Sequence, residues 1–133
     1  MAGATLLIAD GPNGEKHPTF ILNDPFSVEG YGSQVCVLVN ASTPRLIYDK
    51  TCMLPAGCHP SIKHESFVFF AKARVRQAGE LERLVAARTY DPGQPADIRL
   101  VKKIVAHMHD AIELDDEIRE IARRIEAQLE GKR

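Results

Sequence analysis

The sequence carries no strong excess of either charge. Its 17 Lys and Arg residues stand against 18 Asp and Glu residues, which gives a formal net charge of −1 at pH 7. A chain with this balance does not attract nucleic acid or membranes through its overall charge. Binding to either therefore requires a local patch of cationic side chains.

Cysteine is also scarce, and the cysteines match neither a set of disulfide pairs nor a zinc-binding motif. The three cysteines, Cys36, Cys52 and Cys58, are odd in number and follow no common zinc-binding spacing. Cys36 lies inside an apolar run, which is typical of a small buried side chain. We expect reduced thiols in a cytosolic protein, and neither a metal nor another cofactor.

Long apolar segments are missing as well. No apolar run approaches the roughly 18 residues that a membrane-spanning helix needs, and the chain does not open with a basic segment followed by an apolar one. A hydrophobic content of 44% and a charged content of 26% are ordinary for a globular protein of 133 residues. We expect a soluble, cytoplasmic single domain over residues 1–133, without membrane contact.

What the sequence does contain is a series of short apolar segments in its first half. Loops rich in glycine and proline separate them. The run at residues 35–39 is continuous rather than alternating, which indicates a strand covered on both faces. The predicted strands occupy residues 5–9, 19–23 and 35–39, with a turn-rich loop at 10–15 and short strands or extended loops at 45–48 and 51–54.

The strongest strand signal follows at residues 66–75, where aromatic and β-branched residues are concentrated. From residue 71 onward, small or apolar residues alternate with Lys72, Arg74 and Arg76. This alternation predicts one packed face and one basic, solvated face. Residues 80–87 fit either a short helix or a further strand.

The periodicity changes after the breaker at residues 91–95. Apolar residues then recur with helical spacing, first after Asp97, a suitable N-cap, and again after residues 115–117, whose acidic side chains suit a helix N-terminus. Strands followed by helices predict an α+β domain, with a β-region at residues 1–90 and a helical region at 97–130. The apolar face of the first helix comprises Leu100, Val101, Ile104, Val105 and Met108, and that of the second comprises Ile118, Ile121, Ala122, Ile125 and Leu129. Lys132 and Arg133 follow the second helix, where cations suit the helix dipole.

The densest polar chemistry lies at residues 57–68. Two imidazoles, an ammonium group, a carboxylate and two hydroxyls fall within eight residues there, directly before the strongest strand. A loop that a rigid strand then holds in place is a common location for binding and catalytic residues. In an extended chain, His64 and Ser66 point to the same side, which favours a joint site.

Four local motifs occur in a recognisable order. They are Gly14-Glu15-Lys16-His17-Pro18 before an apolar strand, Asn40-Ala41-Ser42-Thr43 at the end of the next, Lys63-His64-Glu65-Ser66 before a third, and Ala73-Arg74-Val75-Arg76 after it. This order, which covers most of the chain, resembles the MazF/PemK-type toxins of bacterial toxin–antitoxin modules. The resemblance implies a small Src-homology-3-like antiparallel β-barrel with C-terminal helices, a homodimer, and a cognate antitoxin protein as partner.

The resemblance also implies an activity, the cleavage of single-stranded RNA. The family uses an Arg before the Pro of the second strand and a Thr or Ser at the end of the third, which by motif correspond to His17 and Ser42. His17 departs from the usual Arg, which holds a phosphate with two hydrogen bonds and stays charged. Because His shuttles a proton near neutral pH, the change is compatible with acid–base cleavage and equally with a lost activity.

Metal-independent cleavage through the RNA's own 2′-OH requires a base, an acid, and donors that stabilise the charge on phosphorus. Histidines, lysines and hydroxyls can supply all three, and arginines and tyrosines can hold the RNA backbone and stack its bases. The candidate catalytic residues are His17, Ser42, His59 and His64; the candidate substrate-binding residues are Lys16, Lys63, Ser66, Arg74 and Arg76, with Tyr31 or Tyr48 for base stacking.

Each candidate also has a purely structural interpretation. His17 is also compatible with a solvent-exposed start of a strand, His59 with a residue that caps a turn, and the arginines with a solvated strand face. The histidines do not follow a recognisable metal-binding spacing. Two hypotheses follow: an endoribonuclease toxin that an antitoxin neutralises, or a catalytically inactive binding module of the same fold that docks a protein or nucleic acid. The extent of the apolar helix faces gives a second reason to expect a homodimer.

Overall fold

A computed structural model describes residues 1–9, 14 and 16–131. Most of the loop predicted at 10–15 and the cationic chain end at 132–133 lie outside the described residues. In the described part the chain forms, in order, β1 (Thr5–Ala9), β2 (Lys16–Ile21), β3 (Phe26–Ser27), β4 (Gln34–Ser42), β5 (Met53–Leu54), β6 (Ser66–Val68), β7 (Arg74–Gln77), α1 (Ala78–Ala86), β8 (Asp91–Pro92), α2 (Ile98–His107) and α3 (Asp116–Glu130).

The strands form one antiparallel sheet centred on β4. Its order is β5-β6-β4-β2-β1-β8, and β3 and β7 also pair with β4. The expected α+β class, with an antiparallel sheet followed by helices, is confirmed. The expected closed barrel does not form among the described residues, because the path ends in β5 and β8, two-residue strands whose pairings do not join them.

Strand β4 lies at the centre of the sheet, and both of its faces are covered, as its continuous apolar sequence predicted. Val37 and Val39 belong to the larger core beneath α2 and α3, while Cys36 and Leu38 face the smaller core beneath α1. Successive side chains of a strand point to opposite faces, so only a strand between two layers is apolar throughout.

The single strand predicted at residues 66–75 is broken into β6 and β7 by a short 3₁₀ turn at Phe70–Lys72. Phe67 lies opposite Ser42 and Arg74 opposite Leu38, so an advance of seven positions from Phe67 to Arg74 corresponds to an advance of only four positions along β4. The turn accommodates the three additional residues. Lys72 lies in this turn, so it does not continue the alternation of the arginines in β7.

The C-terminal helices begin where capping chemistry predicted. The Asp97 carboxylate accepts a hydrogen bond from the backbone N of Arg99 at 2.8 Å, and the Asp115 carboxylate accepts one from the backbone N of Glu117 at 2.8 Å. Residues 80–87, compatible with either structure, lie mainly in α1, which ends at Ala86. Within the described ranges, no helix combines the length and apolar character that crossing a membrane requires.

Candidate functional site

A shallow groove of about 200 Å³ lies where three strands meet at one end of the sheet. β4 is antiparallel to both β2 and β6, with Thr19 opposite Asn40 and Phe67 opposite Ser42. Antiparallel pairing places the end of β4 beside the starts of both neighbours. The groove is lined by Lys16, His17, Pro18, Ala41, Ser42, Thr43, Ser61, Ile62, His64 and Ser66.

The structure therefore brings together five of the nine residues predicted for the site. They come from three separate parts of the sequence: the start of β2, the end of β4 and the segment before β6. They are Lys16, His17, Ser42, His64 and Ser66.

His64 is held at the rim of the groove by its neighbours. Its Nε2 shares a hydrogen bond with the Thr43 hydroxyl at 3.1 Å, and the Ser66 hydroxyl donates to the His64 carbonyl at 3.0 Å. The His64 residue is exposed, whereas Ser66 is only 5% exposed. The His64 imidazole is therefore in contact with solvent, while the hydrogen bond from Ser66 holds the His64 backbone in place.

His17 and Lys16 form the opposite wall of the groove at the start of β2. His17 is half-buried, and Lys16 is exposed and pairs its ammonium group with the Asp91 carboxylate of β8. Ser42 provides a hydroxyl on a side chain that is 7% exposed. The groove thus contains two imidazoles, a paired cation and several hydroxyls, which are groups that bind phosphate and transfer protons.

His59 does not line this groove. Its Nδ1 accepts a hydrogen bond from the backbone N of Ser61 at 3.0 Å, and its Nε2 donates to the Gln94 carbonyl at 2.6 Å. The ring is 3% exposed and meets Phe20 edge-on at 5.4 Å between centroids. These contacts require a neutral ring protonated on Nε2, which fixes the loop that carries Ser61 to the groove.

Three predicted cationic contacts lie outside the groove lining. Lys63 is exposed, but its side chain does not line the groove. Arg74 donates to the side-chain oxygen of Asn40 at 2.9 Å, and Arg76 donates to the Val75 carbonyl at 3.0 Å. Both arginines belong to β7, which pairs with the first half of β4 rather than with its end.

The two tyrosines proposed for base stacking also lie elsewhere. The Tyr31 hydroxyl donates to Glu117 at 2.8 Å, and this hydrogen bond, with burial and the negative charge of that carboxylate, raises the Tyr31 pKa. Tyr48 packs beside Phe67 in a separate pocket. In the described part of the chain, no group of three His, Cys, Asp or Glu side chains is placed to hold a metal ion.

Five residues that line the groove were not among the nine predicted: Pro18, Ala41, Thr43, Ser61 and Ile62. Asp91, which pairs with Lys16 but does not line the groove, was not predicted either. Thr43, next to the predicted Ser42, contacts His64, and its position in the same Ser-Thr pair was a usable signal. Asp91 pairs with Lys16 across 75 positions of sequence, and only the pairing of β8 with β1 brings it there. No protein-family model, curated protein or solved structure matches this chain.

Proposed function

We propose that this chain is an endoribonuclease that cleaves single-stranded RNA in the groove at the end of β4, by metal-independent acid–base catalysis. One observation carries the proposal: His17 and His64, 47 positions apart, line the same groove with the hydroxyls of Ser42 and Thr43. Two imidazoles beside hydroxyl donors are a sufficient set of groups for proton transfer during RNA cleavage.

In the proposed reaction, the 2′-oxygen of a ribose attacks the adjacent phosphorus and the bond to the 5′-oxygen of the next nucleotide breaks. One imidazole, neutral at the start, accepts the 2′-proton, and the other, protonated at the start, donates a proton to the departing 5′-oxygen. The products are a 2′,3′-cyclic phosphate and a 5′-hydroxyl. The Ser42 and Thr43 hydroxyls donate to the phosphate oxygens as their charge increases.

Lys16 contributes to the same step by exchanging partners. Its ammonium group pairs with Asp91 across the exposed edge of the sheet. An incoming phosphate competes with that carboxylate, and exposed ion pairs are weak enough to be exchanged at small cost. A phosphate of bound RNA therefore pairs with the Lys16 ammonium group, which lies next to His17 in the sequence and lines the same groove.

The wider biological assignment belongs to the same proposal. A MazF/PemK-like toxin with a Src-homology-3-like fold would act as a homodimer and be neutralised by an antitoxin that covers the groove. The support is the order of the four sequence motifs and the antiparallel sheet centred on β4. The apolar faces of α2 and α3 pack within the chain's own core, so a dimer would use another surface.

A labelled single-stranded RNA incubated with the purified chain and EDTA tests the activity. We expect cleavage between pH 5 and 8 that yields cyclic phosphate ends, and no cleavage of the same oligonucleotide made with 2′-deoxyribose. His17→Ala and His64→Ala should each slow the reaction by about 100-fold or more. His107→Ala, which changes a histidine on α2 outside the groove, serves as the matched control.

A catalytically inactive binding module is the second candidate, and the pairing of Lys16 with Asp91 favours it, because that cation is already neutralised in the free protein. This module would bind RNA or a protein in the groove without cutting RNA. Binding of the RNA without any cyclic phosphate product, by a chain that unfolds cooperatively, would select this function over the ribonuclease.

A further inference from the structure

Three large aliphatic side chains lie almost fully in solvent. Leu46, Ile47 and Ile112 are 98%, 88% and 93% exposed, and we call them the aliphatic patch. Ile47 and Ile112 come from distant parts of the chain and line one pocket of about 310 Å³. Exposed apolar residues that converge on a pocket mark interaction sites more often than isolated ones do.

The floor of this pocket is a row of aromatic rings. The centroids of Tyr48 and Phe67 are 5.0 Å apart, and those of Phe67 and Phe69 are 5.5 Å apart. Phe67 is buried in the sheet, so the floor is held rigidly by β6. A pocket that is already formed loses little conformational entropy when a side chain enters it.

Cationic groups surround this floor. The Arg45 guanidinium lies 5.7 Å and the Lys72 ammonium 5.3 Å from the centre of the Phe69 ring, and the Lys50 ammonium lies 5.3 Å from that of Tyr48. These ring contacts are all that the three cations form with charged or aromatic groups of the described residues.

Two carboxylates belong to the same pocket, and they differ in orientation. Asp49 accepts hydrogen bonds on one oxygen from the backbone N and the hydroxyl of Thr51, and its other oxygen is buried. Among the described residues that line the pocket, only Glu113 presents an exposed carboxylate to it. The rim is therefore cationic on balance and complements an acidic ligand.

We propose that the aliphatic patch binds a segment of a partner protein in which aliphatic side chains are flanked by carboxylates. The aliphatic side chains would enter the pocket between Ile47 and Ile112, and the carboxylates would pair with the surrounding cations. A protein segment fits better than RNA, because the accessible aromatic faces are already covered by cations and aliphatic side chains offer no ring on which bases stack. The proposal does not depend on whether the groove at the end of β4 cleaves RNA.

Isoleucine-methyl NMR on the full chain tests this proposal with three synthetic peptides of equal length. One contains Leu and Glu, the second Leu and Lys, and the third Ser and Glu. We expect the first peptide to shift the Ile47 and Ile112 methyl signals and to bind at least about tenfold more tightly than either of the others.

Surface variants locate the binding. Ile47→Ser with Ile112→Ser, and separately Arg45→Glu, should each weaken the Leu and Glu peptide about tenfold or more. Arg83→Glu, a charge reversal at an exposed position of α1 outside the patch, should leave the affinity unchanged. Because the changed side chains are exposed, the fold should persist in every variant.

Several results would overturn the proposal. Equal binding of the Leu/Glu and Leu/Lys peptides, or no binding of any peptide, would remove the charge argument. A larger methyl shift with single-stranded oligouridine would make the patch a nucleic-acid site. Self-association in sedimentation that Ile47→Ser abolishes would make its occupant a second copy of this chain.

Discussion

Two histidines only five positions apart occupy opposite environments. His59 has both ring nitrogens in hydrogen bonds and is 3% exposed, whereas His64 is exposed at the rim of the groove with one observed partner, Thr43. A buried ring with every polar atom satisfied contributes to stability, and an exposed ring is free to exchange protons. The same residue type thus supports the fold at one position and is available for chemistry at the other.

Replacing each histidine separates these roles. His59→Ala should lower the free energy of unfolding by about 3 kcal/mol, because it leaves a cavity beside Phe20 and removes the hydrogen bonds of both ring nitrogens. His64→Ala should change it by less than about 0.5 kcal/mol. Urea unfolding measures both, and equal losses of stability would contradict this distinction between the rings.

Two cysteines make stability depend on alkaline pH. Burial raises the pKa of the Cys36 and Cys52 thiols to about 11 from an ordinary value of 9.0. The folded state therefore keeps these protons at a pH where the unfolded state has released them. Their contribution to stability is complete below about pH 9 and is lost as pH rises towards about 11.

We expect the free energy of unfolding to fall across this range by up to about 3 kcal/mol per thiol. Guanidinium unfolding at several pH values measures the loss, and a Cys36→Ala, Cys52→Ala double variant is the comparison, since other groups also titrate there. Wild-type and variant curves with the same slope against pH would show that the two thiols do not titrate as their burial requires.

At the scale of elements, one arginine joins the two C-terminal helices. The Arg119 guanidinium on α3 donates to four carbonyls at and beyond the end of α2: those of Met108, His109, Ala111 and Leu114, at 2.8 to 3.2 Å. The last carbonyls of a helix have no partners within it, and a cation there also suits the helix dipole. Arg119 thus completes the turn between the helices.

Removing the Arg119 side chain should lower the free energy of unfolding more than removing a typical surface arginine does. Arg119→Ala should destabilise the protein by about 2 kcal/mol, because several carbonyls lose a charged donor. Arg119→Lys should recover only part of this, since a single ammonium group cannot reach all four. Thermal unfolding compares them with Arg123→Ala, an exposed position on the same helix; a similar effect there would argue against the capping role.

At the scale of the whole molecule, the strands and helices are joined through the chain near Gly3. Its N–H donates to the Ile21 carbonyl at 2.8 Å, and its carbonyl accepts from the Ala96 N–H at 2.7 Å, just before α2. Gly3 has a φ of +89°, and a Cβ there would lie 2.8 Å from the Ala96 carbonyl oxygen. Only glycine permits this close approach at low cost.

Gly3→Ala should therefore cost about 3 kcal/mol, the sum of backbone strain and steric overlap. Gly32→Ala is the matched control, because its φ of +75° imposes the same kind of strain while a Cβ there would meet nothing within 4 Å. It should cost only about 1 kcal/mol. Equal losses for the two variants in urea unfolding would show that the contact with Ala96 is unimportant.

Local physical chemistry accounts for the parts of the fold that were predicted. The continuous apolar run of β4, the carboxylate caps of α2 and α3, and the helical spacing beyond residue 95 each depend on neighbouring residues along the chain. The break in residues 66–75 was missed because its cause is non-local: the register of β6 and β7 against β4 differs by three residues.

The sequence alone determined which groups are available for chemistry, and the tertiary structure decided which of them meet. His17, Ser42 and His64 line one groove because β4 runs antiparallel to both of its neighbours, while Arg74 and Arg76 lie along the other half of the same strand. His59 was removed from the groove by contacts with Phe20 and Gln94. Strand pairing and burial depend on residues far apart in the chain, so no local pattern encodes them.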